Sequence, residues 1–105
     1  MDCFRDPESS VERCLRVCVE DTGGQCVKFL PDYKRGWPDR LVLLPFGKVA
    51  WVETKTKGGK LSPMQEVAHE QLRRLGQEVY VVWTKEQARD LVAVLSVPPE
   101  EYAQE

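Results

Sequence analysis

Gly36-Trp37-Pro38-Asp39-Arg40-Leu41-Val42-Leu43-Leu44, continuing through Pro45-Phe46-Gly47 to Lys48-Val49-Ala50-Trp51-Val52-Glu53-Thr54-Lys55, is the stretch around which the chain is organised. An acid follows a Gly-x-Pro turn, and an apolar run follows the acid. A short turn then leads to a second apolar run that ends in Glu-Thr-Lys. Arg40–Leu44 and Val49–Val52 read as strands of a hairpin. Both faces of each are mostly apolar, which predicts central strands covered on both sides. The turn sets the register. If Leu43 pairs with Val49, Asp39 lies opposite Glu53 with both side chains on one face. A one-residue slip would separate them. Lys55, two residues past Glu53, shares that face. Gly47 suits an odd-length connection or a bulge.

Working outward, Asp6-Pro7 reads as a helix start, with Asp6 as cap and Pro7 in the first turn. Val11, Cys14, Leu15 and Cys18 recur at the spacing of one buried helical face, and Gly23-Gly24 stops the helix. Ser9-x-x-Glu12 also matches a capping box, which by itself accounts for Glu12. Gln25 to Leu30 reads as a first strand. Pro31 to Pro38 is a loop with two adjacent cations, Lys34 and Arg35, and two aromatics, Tyr33 and Trp37; packing suits Trp37 best. Lys57-Gly58-Gly59-Lys60 is a basic loop. Ser62-Pro63 opens a second helix, with Gln65 completing a capping box. Met64, Val67, Ala68, Leu72 and Leu75, with Gln71 among them, predict its inward face. His69 falls on the polar side or at the edge of that face and reads as a surface or packing histidine. Glu78–Trp83 reads as a strand, so strand, helix, strand implies a parallel pair. Thr84 caps a third helix with Ala88, Leu91, Val92 and Leu95 inside. Val97-Pro98-Pro99 ends it, and residues 97–105 form an acidic tail.

The 105 residues suffice for one core, so a single domain over 1–105 is expected. No apolar run approaches the ~18 residues of a membrane span, and the acidic N-terminus does not resemble a signal peptide. A cytoplasmic or otherwise intracellular protein is the default; a phage origin is compatible but no residue argues for it. Four cysteines without a secretion signal read as small buried residues rather than a disulfide framework. Zinc is disfavoured because the chain has one histidine and no Cys-x-x-Cys pair. Net charge is −2. Its distribution is uneven. Residues 28–60 carry eight basic side chains against three acids, while both flanks are acidic. A positive field around the opening stretch suits a polyanion. Lys34, Arg35, Lys57, Lys60 and Tyr33 are the candidate nucleic-acid contacts.

Two carboxylates and an amine at one sheet edge suit metal-assisted hydrolysis of a phosphodiester. Asp39 and Glu53 would hold Mg²⁺ or Mn²⁺, hard cations that take carboxylate oxygens and waters. Lys55 would orient the attacking water or stabilise charge on the phosphate. Glu12 could add a third carboxylate, and Gln65 sits at the helix start nearest the basic loop. A plain salt-bridge network among Asp39, Glu53 and Lys55 is the bland alternative. It leaves the Gly-x-Pro-Asp turn and the local positive field unexplained.

These residues carry a resemblance. Pro38-Asp39 followed by Glu53-Thr54-Lys55 resembles the motif of the PD-(D/E)xK nuclease superfamily. Within it the chain is similar to the VRR-NUC domain in a standalone form. The match runs from Ser10-Val11-Glu12-Arg13-Cys14-Leu15 through Gly24, Lys28-Phe29 and Arg35-Gly36-Trp37-Pro38-Asp39. It continues with Val52-Glu53-Thr54-Lys55, Gly59-Lys60-Leu61-Ser62-Pro63-Met64-Gln65 and Leu72-Arg73-Arg74-Leu75-Gly76. The resemblance implies an α/β fold, with an α-β-β-β-α-β restriction-endonuclease-like core and a mixed sheet flanked by helices. It also implies metal-dependent DNA cleavage by Glu12, Asp39, Glu53, Lys55 and Gln65. Thr54 would lend a backbone carbonyl to the metal, and Glu12 would reach it through water. Glu8 competes for the first-helix role. By analogy with standalone members, the expected activity is a Holliday-junction resolvase acting on four-way DNA as a homodimer. The alternatives are a flap or nicking nuclease in DNA repair, and a non-catalytic DNA-binding subunit that keeps the fold.

Overall fold

The computed structural model describes residues 8–32 and 35–100. Its elements are α1 (Ser10–Asp21), β1 (Gln25–Lys28), β2 (Arg40–Leu44), β3 (Lys48–Thr54), α2 (Pro63–Arg74), β4 (Val79–Val82) and α3 (Lys85–Leu95). The strands form one mixed sheet in the order β1-β2-β3-β4. The first three are antiparallel neighbours, and β4 runs parallel to β3. The crossover between that parallel pair is α2, as strand-helix-strand connectivity requires.

Alternation divides the sheet into two faces. Val42 and Leu44 of β2, Ala50 and Val52 of β3 and Val82 of β4 form the core with Val11, Leu15 and Val19 of α1 and Ala88, Val92 and Leu95 of α3. α1 and α3 pack on each other over this face. The other face carries Leu41, Leu43, Val49, Trp51 and Glu53, and α2 covers only part of it. Leu43 and Val49 remain 37% and 41% exposed. The expectation of cover on both sides therefore fails at the turn end of the hairpin. An apolar pattern on two faces does not say how far one helix reaches.

The hairpin has the predicted register: Leu43 opposes Val49, and Leu44 opposes Lys48. The connection is a three-residue 3-10 turn, Pro45–Gly47, in which Phe46 and Gly47 both have positive φ. Gly24 allows β1 to start against β2: a Cβ there would lie 2.2 Å from the Leu43 carbonyl oxygen.

The first helix starts later than Asp6-Pro7 suggests. Ser9 is its cap, with a complete capping box to Glu12, and Glu8 precedes the helix. Asp6 and Pro7 lie outside the described residues, as does the tail from residue 101. β1 and β4 are shorter than their apolar runs, ending at Lys28 and Val82. The second helix differs most. Its buried residues are Ala68, His69 and Leu72, while Met64, Val67 and Leu75 are exposed. The helix is rotated so that Gln65, His69 and Leu72 face the sheet.

Candidate active site

The site forms where β2 begins and β3 ends, beneath the first turn of α2. Gly36 fixes the approach to Asp39. Its φ is +83°, and a Cβ there would stand 2.6 Å from the Met64 carbonyl oxygen, so the loop lies against the start of α2. Trp37 packs on Phe29 and Trp51, with ring centroids 5.7 and 5.3 Å away. Pro38 is fully buried. The chain thus enters β2 from a fixed direction.

Asp39 is gripped by Thr54. The Thr54 backbone N–H donates to Oδ1 at 3.2 Å, and its hydroxyl donates to Oδ2 at 3.1 Å. Burial still raises the Asp39 pKa above the ordinary carboxylate value, with Glu12 adding repulsion and Thr54 and Arg40 opposing it. Glu53, one residue before Thr54, is only 5% exposed. Burial first and the charge of Asp39 second push its pKa up to about 7, against the pull of Lys55, the Asp39 backbone N–H and Gln65.

Gln65 links the amine to the acid. Its Oε1 accepts from Lys55 Nζ at 2.9 Å and from the Ser62 backbone N–H at 2.9 Å. Its Nε2 donates to Glu53 Oε2 at 3.3 Å. Lys55 Nζ itself lies 4.0 Å from Glu53 Oε2. The capping box of α2 and the site therefore share one side chain. Asp39, Glu53, Lys55 and Gln65 line a single cleft of about 660 Å³, with Arg35 on its rim and Phe29, Leu30, Trp37 and Met64 as an apolar wall.

Glu12 stands apart. Its Oε1 accepts from the Ser9 N–H at 3.0 Å and its Oε2 from Arg40 Nη2 at 2.9 Å. Burial alone would raise its pKa; Ser9 and Arg40 together bring it below the ordinary value. It does not line the cleft, though Asp39 senses its charge. Glu8, the competitor for this position, is held by Arg16 at 3.0 Å and lies 3.7 Å from Arg40. Lys57 and Lys60 are exposed on the loop after β3. Trp83 pins that loop by donating its indole N–H to the Gly59 carbonyl. Tyr33 and Lys34 lie outside the described residues.

Two residues beside the site do not read from the sequence as part of it, although packing is one of the two roles the sequence suggests for His69. Arg40 is a buried cation, 6% exposed, that faces α1. His69 is fully buried, with Nε2 3.7 Å from Glu53 Oε1. The usable signal for His69 was its spacing of four from Gln65, which stacks the two on one helical face.

The hairpin, the acid pair and the amine set the frame for comparison with known proteins. No family model matches the chain. A curated relative from Acyrthosiphon pisum secondary endosymbiont phage 1, named "Putative nuclease p44", is 41% identical over 87 residues, covering 83% of this chain and 94% of that protein. A solved structure described as a VRR_NUC domain superposes with a TM-score of 0.74 at 33% identity, over 79% of this chain and 90% of that one. The chain belongs to the VRR-NUC nuclease family. The VRR-NUC fold accounts for the four-stranded mixed sheet.

Among the described residues, no three His, Cys, Asp or Glu side chains gather as a ready cage for a metal. The donor set is smaller: two carboxylates, one with a buried oxygen, Glu53 Oε1, that accepts no hydrogen bond. The buried Glu53 and half-buried Asp39 fit a hard divalent cation, which commonly takes one or two carboxylates and completes its sphere with water and substrate. Cys14, Cys18 and Cys26 are free thiols away from the cleft. Among the described residues no helix is long and apolar enough to cross a membrane.

Proposed function

We propose that this chain is a Mg²⁺- or Mn²⁺-dependent, structure-specific DNA endonuclease that cuts branched DNA, with the four-way junction as substrate and a homodimer as the acting unit. The observation that carries the catalytic part is the Asp39–Glu53 pair. Two carboxylates with raised pKa values line one cleft, with Lys55 beside Glu53 and Arg35 at the rim. Carboxylates held together away from water are costly unless a cation joins them.

Asp39 and Glu53 would hold the ion, with the Thr54 carbonyl and, through water, Glu12 as further donors. When bound, the ion supplies charge neutralisation at the phosphate and lowers the pKa of a water. The protein's own part is positioning. Thr54 fixes Asp39, and Gln65 fixes Lys55 relative to Glu53. Lys55 then orients the attacking water or stabilises charge developing on the phosphate oxygens. Arg35, Lys57 and Lys60, together with Lys34 and Tyr33, would hold the flanking backbone. Phosphate contacts of this kind position DNA without reading its sequence. One site cuts one strand, so paired cuts across a four-way junction need two copies.

The test uses labelled four-way junction, flap and linear duplex, each with Mg²⁺, Mn²⁺ or EDTA. The expected result is metal-dependent cutting that prefers the junction and falls at least about 100-fold in Lys55→Ala. No metal-dependent cutting by the wild type would point to a DNA-binding subunit. Preference for flaps or nicks would replace the junction by a repair intermediate. A monomer in sedimentation with junction DNA bound would remove the resolvase reading.

A further inference from the structure

The two oxygens of Glu53 have different surroundings. Oε2 meets Gln65 Nε2 and Lys55 Nζ. Oε1 is buried and accepts no hydrogen bond. Facing it is His69 Nε2 at 3.7 Å, on a ring that is 0% exposed and whose two nitrogens have no hydrogen-bond partner. A buried polar atom left unsatisfied is costly. Here a nitrogen and an oxygen in that condition face each other, slightly beyond hydrogen-bond distance. Contacts of this kind are often long before a site is loaded and tighten afterwards.

The helix explains the arrangement. Gln65 and His69 are one turn apart on the inward face of α2, so α2 presents two side chains to one carboxylate. Burial lowers the pKa of the imidazole from its ordinary value, with Arg73 and Lys55 adding to the effect. A neutral imidazole has a single N–H, so its tautomer decides what it can do for Glu53.

We propose that His69 is a positioning residue: as the Nε2–H tautomer it donates to Glu53 Oε1 and, with Gln65 on Oε2, locks the carboxylate in the orientation that receives a divalent cation. The proposal deepens the metal-dependent reading of the site and rests on that reading for its effect on metal binding. Outer partners that orient a ligating carboxylate or imidazole typically change metal affinity about 10- to 100-fold when removed.

Two measurements test it. His69 is the chain's one histidine, so long-range proton–nitrogen correlation spectra of the metal-free wild type report its tautomer without ambiguity. Protonated Nε2 with bare Nδ1 is expected. Protonated Nδ1 with bare Nε2 would overturn the proposal. The second measurement is calorimetric titration of Mn²⁺, without DNA, into wild type, His69→Gln and His69→Leu. The glutamine amide can donate from about where Nε2 stands; leucine fills space and donates nothing. His69→Leu should bind Mn²⁺ about 10-fold or more weakly, and His69→Gln within about 3-fold of wild type. Equal binding by a folded His69→Leu, or an equal loss in both variants, would overturn it. If His69→Leu does not fold, the wild-type tautomer decides. If the wild type binds no Mn²⁺, the metal-dependent reading fails, and the tautomer still answers whether His69 donates to Glu53.

Discussion

Asp39 and Arg40 are consecutive residues at the start of β2, yet they serve opposite faces of the sheet. Arg40 turns toward α1, where it meets Glu12 at 2.9 Å and Glu8 at 3.7 Å, with Arg16 on the far side of Glu8. With Arg13 on Glu8 and Glu20 on Arg16, three acids and three guanidinium groups balance charge in that cluster. Asp39 turns toward the cleft below α2, where it joins Glu53, with Lys55 4.0 Å from Glu53 and Arg35 at the rim. The pKa directions follow the difference. Glu12 is lowered by its partners, whereas Asp39 is raised by burial and the charge of Glu12, and Glu53 by burial and the charge of Asp39. A closed cluster holds the fold together; an open one stores electrostatic cost that a ligand can relieve.

The comparison is broken most severely at Arg40. Replacing it with Met leaves Glu12 half-buried without its cation. A loss of about 3–5 kcal/mol in urea unfolding is expected. Pairing Arg40→Met with Glu12→Gln should recover much of it. A loss below about 1 kcal/mol would mean that the α1 side is not a compensated buried pair.

The cleft side makes a pH prediction of nearly the same size. Glu53 shifts from 4.5 to about 7 on folding. Its carboxyl is protonated in both states at low pH, so it imposes no penalty there. As pH rises through 4.5 the unfolded chain ionises first, and the native state loses stability until about pH 7. With EDTA present, wild type should be about 3 kcal/mol less stable at pH 8 than at pH 4 from this group alone. Glu53→Gln should lack that component. Urea unfolding at both pH values, wild type against variant, measures it. A difference of the opposite sign would show that the site is already compensated.

A smaller effect separates two helix caps. Ser62 and Thr84 each accept a backbone N–H through the side-chain oxygen, from Gln65 and Gln87. Alanine at either should cost about 1 kcal/mol. Only Ser62→Ala should also slow cleavage by a few-fold, because its helix start places Gln65 over Glu53 and Lys55. Equal effects on cleavage would detach the cap from the site.

The hairpin register was legible because an odd turn between Leu43 and Val49 allows only one face for Asp39 and Glu53. Gln65 was legible through its capping box, although the box did not show that the same Oε1 also accepts from Lys55. The inward face of α2 was legible only in part. Ala68 and Leu72 are buried as their spacing predicts, but Met64, Val67 and Leu75 are exposed because the helix is turned to bring Gln65 and His69 over the sheet. Hydrophobic periodicity cannot place polar residues on an inward face. Arg40 was missed similarly. An arginine opening an apolar strand looks like a surface cation, and only the placement of Glu12 and Glu8 across the sheet makes it a buried one.

The measurement that tests the open cluster most directly is the stability of the protein at pH 8 as Mn²⁺ is added, in wild type and in Glu53→Gln. If the Asp39–Glu53 pair takes up a cation, wild type should gain about 1.4 kcal/mol once the ion reaches tenfold its dissociation constant. Glu53→Gln should start more stable than wild type in EDTA and gain little. An equal gain in both proteins, or none in wild type, would contradict the claim that Asp39 and Glu53 are held ready for a cation.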